Sequence, residues 1–228
     1  MTASNVNLYG LRQCHDLHSL PDDQLARLSA QGHTVNKARS DFIWQTGDAV
    51  REVYVMLRGT AHVQMCAPDG NLILTGLIVP GQLFGEAEVF SREATRFNHV
   101  MSAEKCTLLV IPVALFNDQV ELYPDYALHW LRTSNKKFVT SLRQMYSLRA
   151  GNGAARLART ILLIHHWLGP EQGDYMAFSQ ETIGQYAGLS RQVVNRVLSD
   201  WRQRHLIDTG YGVLRILNVA ALILVAEA

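Results

Sequence analysis

Three cysteines in 228 residues, at positions 14, 66 and 106, are an odd number at wide spacing. They make neither a disulfide framework nor a zinc or cluster motif, which suits a reducing compartment. Charge of one sign is missing too: 21 Lys and Arg against 20 Asp and Glu leave a formal net charge of +1. A basic footprint over the whole protein is excluded, so any nucleic-acid patch must be local. The longest apolar tail run, Val219 to Ala226, is far too short to span a bilayer. The N-terminus lacks the basic-then-apolar order of a signal peptide. The expectation is a cytoplasmic protein with no membrane partner. No repeats or low-complexity tracts occur, and the length suits one or two domains with a sizeable core.

What the chain does contain is a stretch from Phe178 to Trp201 that reads as two short helices broken at Gly188. Ser179 is suited to cap the first helix, and Ile183, Tyr186 and Ala187 give it an apolar face. Gly188 tolerates the left-handed backbone of a tight turn, Leu189 fills the corner, and Ser190 caps the second helix. There Val194, Val197, Leu198 and Trp201 recur at i, i+3, i+4, i+7, one buried stripe. The opposite face is polar, and residues 189–204 hold four arginines against Asp200 alone. A helix-turn-helix inserts its second helix into the major groove by the N-terminal end. Arg191, Gln192, Asn195 and Arg196 are therefore the candidates for base edges, since Arg bonds guanine bidentately and Gln or Asn bonds adenine. Ser179, Gln180, Ser190, Ser199 and Arg202 are the candidates for phosphate contacts. The competing reading is a surface helical corner with a solvated polar face.

Taken in order, Ser19 to Ala30 reads as a helix, with Ser19 its cap, Pro21 in the first turn, and Leu25 and Leu28 facing inward. From His33 the pattern turns to short apolar or alternating runs at 41–44, 52–57, 61–66, 72–79, 99–102 and 105–111, an antiparallel roll. After Pro112 the period becomes helical. A long helix runs from Pro124 to about Arg149 without internal Pro or Gly. Leu128, Leu131, Asn135, Phe138, Leu142 and Met145 follow coiled-coil spacing and form a candidate homodimer seam. A helix packed on its own barrel is the other reading. Gly151-Asn-Gly153 marks a hinge, a helix follows from Ala154 to Leu168, and residues 169–173 are a loop. After the second helix of the motif, residues 206–217 read as a hairpin, a wing whose Arg215 or Thr209 can touch phosphate. The expected fold is α+β: a sensor β-roll over 1–122, a dimerisation helix and hinge over 123–150, and a winged helix-turn-helix over 151–228.

That order of modules resembles the cyclic-AMP receptor protein and FNR family of bacterial transcription regulators. The specific pieces are Phe84-Gly85-Glu86 with Arg96 behind it, and the run from Gly188 to Arg196. The resemblance implies a homodimer in which a small signal bound by the roll shifts the dimer helices. The two recognition helices then reach successive major grooves of a palindromic duplex, with RNA polymerase as partner. In members that bind cyclic nucleotide, the glutamate matching Glu86 takes the ribose hydroxyl and the arginine matching Arg96 neutralises the phosphate. Gly85 supplies the turn. Phe97 departs from the pattern, standing where a Ser or Thr hydroxyl also holds the phosphate. Ser141 matches one of two base-reading hydroxyl residues, but Leu142 replaces the other. Lost polar contacts are costly in a cavity, so the expectation is an effector other than cyclic AMP, with Glu86 and Arg96 left as an ion pair near a loop.

The iron–sulfur mode of the FNR branch needs clustered cysteines, and Cys14 stands alone. Haem needs an axial His, Cys or Met in an apolar pocket; His15, His18, His33, His62, His99 and Cys66 offer residue types but no motif. No cofactor is assigned. A metalloenzyme of the cupin type would need convergent ligands such as His-x-His, which the roll lacks, so no catalysis is expected. A remaining alternative is a cyclic-nucleotide-binding module acting through a protein partner.

Overall fold

The computed structural model describes residues 11–228 apart from 13, 15, 18, 19, 69, 71, 150, 169–174, 177 and 211. The chain forms two compact units, Met1–Lys137 and Phe138–Ala228, and the division falls inside one long helix.

In the first unit, helix α1 (Asp22–Gln31) precedes strands β1 (His33–Lys37), β2 (Phe42–Trp44), β3 (Glu52–Arg58), β4 (Ala61–Cys66), β5 (Leu72–Ile78) and β6 (Leu83–Phe84). Then come α2 (Ala87–Ser91), β7 (His99–Ser102), β8 (Cys106–Pro112) and α3 (Val113–Leu122), and α4 (Pro124–Arg149) crosses into the second unit. The strands make two antiparallel four-stranded sheets, ordered β1-β8-β3-β6 and β2-β7-β4-β5. β3 and β8 pair from Glu52 opposite Pro112 to Arg58 opposite Thr107. Side chains alternate faces along a strand. Tyr54 and Met56 of β3 and Leu108 and Val110 of β8 point between the sheets, beside Trp44, Phe84 and Val100. Val53, Val55, Leu109 and Ile111 point the other way, onto Leu25 and Leu28 of α1, Leu115 and Phe116 of α3, and Tyr126 and Trp130 of α4. Burial on both faces explains why these two strands read as continuous apolar runs.

The second unit adds α5 (Gly153–Leu168), β9 (Tyr175–Met176), α6 (Gln180–Tyr186), α7 (Arg191–Gln203), β10 (Ile207–Gly210), β11 (Val213–Ile216) and α8 (Val219–Glu227). The hairpin expected at 206–217 is β10 and β11, and β9 joins it as a third strand in the order β10-β11-β9.

Several expectations need correction. The backbone cap of α1 is Pro21, with no side-chain cap bond; Ser19 and the 169–173 loop lie outside the described residues. β1, β6 and β9 are too short or too polar to read as strands. Residues 219–226 are a helix rather than only an apolar run: the Asn218 side chain accepts from the Ala221 N–H at 2.9 Å and caps it. That helix buries Leu222 and Ala226, and Arg159 of α5 donates to its Ala226 carbonyl at 3.1 Å. Among the described residues no helix is long and apolar enough to cross a membrane.

Phe116 is fully buried and meets Trp130 and Tyr126 at ring centroid distances of 5.6 and 6.1 Å. Phe116→Ala should cost about 3–5 kcal/mol in denaturant unfolding, the range for emptying an aromatic site. A loss below about 1 kcal/mol would show that this ring pile does not anchor α4.

Candidate functional site

The helical corner forms as its caps dictate. The Ser179 hydroxyl accepts from the Thr182 N–H at 3.0 Å, and the Ser190 hydroxyl accepts from the Val193 N–H at 3.5 Å. Gly188 turns the chain at φ +62°, the left-handed region that a side chain disfavours. A Cβ at Gly184 would lie 2.8 Å from a Val194 methyl, so only glycine lets α6 and α7 touch there. Val194, Val197, Leu198 and Trp201 are buried. Arg191, Gln192, Asn195, Arg196, Ser199 and Arg202 are all exposed along the other side of α7.

Gln180, Asn195, Ser199, Arg202 and Thr209 line a notch of about 260 Å³, and Arg202 Nη1 donates to Thr209 Oγ1 across it at 3.4 Å. Three of the five candidate phosphate residues thus converge with a wing residue. Ser179 and Ser190 are also exposed, and the Ser179 hydroxyl additionally shares a hydrogen bond with the Thr182 hydroxyl at 2.9 Å. Arg191 and Gln192 project from the first turn of α7, where the helix dipole is positive. The arrangement offers guanidinium and amide donors on one exposed side of α7, with hydroxyls beside it.

In the roll, the residues singled out for an effector are occupied otherwise. Arg96 is 2% exposed. Its Nη1 donates to the Gly85 carbonyl at 2.9 Å and to Glu88 Oε2 at 3.1 Å, and its Nη2 donates to the Glu52 carbonyl. The guanidinium also lies over the Trp44 ring, 4.2 Å from its centroid, a cation–π contact. Glu86 is 5% exposed, and its Oε1 accepts from Lys137 Nζ at 2.6 Å. Lys137 also donates to the Leu83 carbonyl and stands 3.7 Å from Asp16 Oδ2. Burial by itself disfavours the Lys137 charge, but the Glu86 and Asp16 carboxylates outweigh it and raise the ammonium pKa above the ordinary lysine value. Glu86 and Arg96 are therefore not each other's partners, contrary to the expectation. Glu88 and Lys137 intervene. Phe97 is 54% exposed, and Ser141 and Leu142 are exposed on α4 within the second unit.

Sequence reasoning missed Glu88, Lys137 and Trp44. The extra acid in Gly85-Glu86-Ala87-Glu88 was a usable sign. So was Lys137, four residues before Ser141 and hence on the same helix face.

Along α4, Leu128, Leu131, Asn135, Phe138, Leu142 and Met145 are all exposed, Leu131 and Phe138 by 59% and 60%. Asn135 Nδ2 donates to the Leu131 carbonyl at 2.9 Å. Large apolar side chains in a row on a helix, left in water, mark an uncovered contact surface.

Cys14 and Cys106 are buried and Cys66 is exposed. Burial, aided by Asp16, pushes the Cys14 thiol up to about 11, and burial also raises Cys106, so both stay protonated and unreactive near neutrality. His62 is half-buried, and burial followed by Arg39 lowers its pKa. His15 and His18 fall outside the described residues. Among the described residues no three His, Cys, Asp or Glu side chains gather as a metal ligand set.

Residues 34–123 match the family model of the cyclic nucleotide-binding domain, and residues 155–224 match that of the Crp-like helix-turn-helix domain. The transcriptional regulator LdrP of Thermus thermophilus is 29% identical over 189 residues, covering 81% of this chain and 92% of its own. The cAMP-activated global transcriptional regulator CRP of Pasteurella multocida is 25% identical over 167 residues, 71% of this chain and 79% of that one. The structure of FixK2 from Bradyrhizobium japonicum matches with a TM-score of 0.78 at 16% identity, covering 86% of this chain and 98% of FixK2, a likeness of fold. With both domains in this order and named regulators similar along most of its length, the chain belongs to the cyclic-AMP receptor protein and FNR family of transcription regulators.

Proposed function

We propose that this regulator works in the cytoplasm as a homodimer that reads a palindromic duplex and acts on RNA polymerase, without catalysing a reaction. Residues 1–122 serve as the sensing roll, 123–150 as dimer helix and hinge, and 151–228 as the DNA-binding domain. The observation that carries this reading is α7, apolar on its buried side and lined with Arg191, Gln192, Asn195 and Arg196 on its exposed side. These four read base edges. Ser179, Gln180, Ser190, Ser199 and Arg202 hold phosphates, and the notch beside Thr209 supports that assignment. The exposed apolar row from Leu128 to Met145 supports dimerisation through α4.

The Pasteurella relative is named for activation by cyclic AMP, but that ligand does not carry over. A cyclic phosphate needs Arg96, whose donors go to Gly85, Glu88 and Glu52. A ribose needs Glu86, which Lys137 holds. The signal sensed by the roll therefore has a different chemistry. Calorimetry with cyclic AMP at micromolar concentration should show no saturable heat; tight binding that also strengthens DNA affinity would overturn this assignment.

Two further outcomes test the rest. Arg191→Ala should cost about 1–3 kcal/mol of binding and relax preference at one base pair. Selection from random duplexes should give different half-sites for the parent and Gln192→Glu, because a carboxylate accepts from cytosine while the amide suits adenine. Identical profiles would mean that α7 does not read through Gln192.

Charges placed at Leu131 and Phe138 should yield monomers in sedimentation, with far weaker DNA binding because the second half-site contact is no longer intramolecular. A double variant that stays dimeric removes the seam.

A further inference from the structure

Two kinds of contact fix α4 to the roll. Its first two turns sink Tyr126 and Trp130 into the core beside Phe116. Beyond Trp130 no described side chain of α4 is fully buried, and the contacts with the roll become polar. Lys137 Nζ donates to Glu86 Oε1 at 2.6 Å and to the Leu83 carbonyl, with Asp16 Oδ2 at 3.7 Å. Asp16 Oδ2 also accepts the Leu83 N–H at 3.0 Å, so the carboxylate, the strand and the ammonium interlock. Glu86 and Asp16 are each only 5% exposed. Two nearly buried carboxylates therefore face one ammonium, while Arg96 is neutralised separately by Glu88.

We propose that Lys137 is a tethered cation filling the carboxylate site of the roll, and that it holds residues 131–137 of α4 against the roll with no small molecule bound. The cation that faces Glu86 and Asp16 is thus supplied by α4 itself. At 3.6 residues per turn, Leu131 and Asn135 lie about 120° and 160° round the helix from Lys137. Pinning Lys137 inward therefore fixes the direction in which that part of the apolar row faces. The effect on DNA affinity rests on the proposed DNA-reading role of α7; the latch itself does not.

Hydrogen exchange on the full chain tests it. In Lys137→Met, amides of residues 131–137 should exchange about tenfold faster or more, while those of 126–130, anchored by Tyr126 and Trp130, stay protected. Lys137→Arg keeps a cation and should retain most of the protection. Removing the ammonium alone leaves the nearly buried Glu86 and Asp16 carboxylates without their shared cation, which is destabilising. Glu86→Gln/Lys137→Met removes one of them as well and should recover stability while 131–137 still exchange fast. Parent-like protection of 131–137 in the double variant, or in a folded Lys137→Met, overturns the latch. Duplex affinity should fall about tenfold in the single variant through the loosened dimer helix. If the parent binds no duplex, the DNA-reading role fails, and the exchange comparison still decides the latch.

Discussion

Burial of β3 and β8 on both faces is the constraint on which the first unit depends. One face of the pair closes the space between the sheets, and the other receives α1, α3 and the opening turns of α4. A close-packed interior transmits small changes of volume, so a methylene lost at Val55 or Leu109 is felt by the sheet and by the helices that lie on it. The direction in which α4 leaves the roll follows from how Tyr126 and Trp130 fit that surface. Glu86 lies just past β6, itself hydrogen-bonded to β3, and Arg96 donates to the carbonyl of Glu52 at the start of β3, so both take their positions from that strand.

Charge inside the roll is organised as two separate balances rather than one open anion site. Arg96 with Glu88 is sealed, both side chains 2% exposed, and breaking such a pair from one side typically costs about 3–5 kcal/mol. Lys137 with Glu86 and Asp16 sits at the margin, its side chain 38% exposed, where solvent screens the interaction. The sealed pair shapes the loop from Gly85 to Arg96. The marginal one joins that loop to the long helix, and its partial access to water makes it the more readily exchanged of the two.

The sequence made some of this legible because local physics decided it. The Ser179 and Ser190 caps, the turn at Gly188, the stripe from Val194 to Trp201 and the span of α4 depend on neighbours within a few residues. The longer strands were visible through their apolar runs. What stayed hidden depended on partners far along the chain. β1, His-Thr-Val-Asn-Lys, has little apolar signal and exists because β8 offers an edge to pair with. β6 and β9 have two residues each, too few for any periodicity. The polar partners of Arg96 and Glu86 were the hardest to see. Motif logic set these two against an absent ligand, whereas the fold brings Lys137 to Glu86 from 51 residues away.

Trp44, Trp130 and Trp201 are each buried, and each in a different place: Trp44 between the sheets, Trp130 where α4 enters the helical layer, and Trp201 on the buried side of α7. Their surroundings differ in kind. Trp44 lies against a guanidinium, Trp130 stands edge-on to the His129 and Tyr126 rings, and Trp201 shares the buried apolar side of α7 with Val194, Val197 and Leu198. Indole emission shifts and quenches with such neighbours, so the chain carries a resident optical reporter in each module. A disturbance at the roll, at the helix entry or at the DNA-binding corner leaves its own spectral mark, with no dye attached.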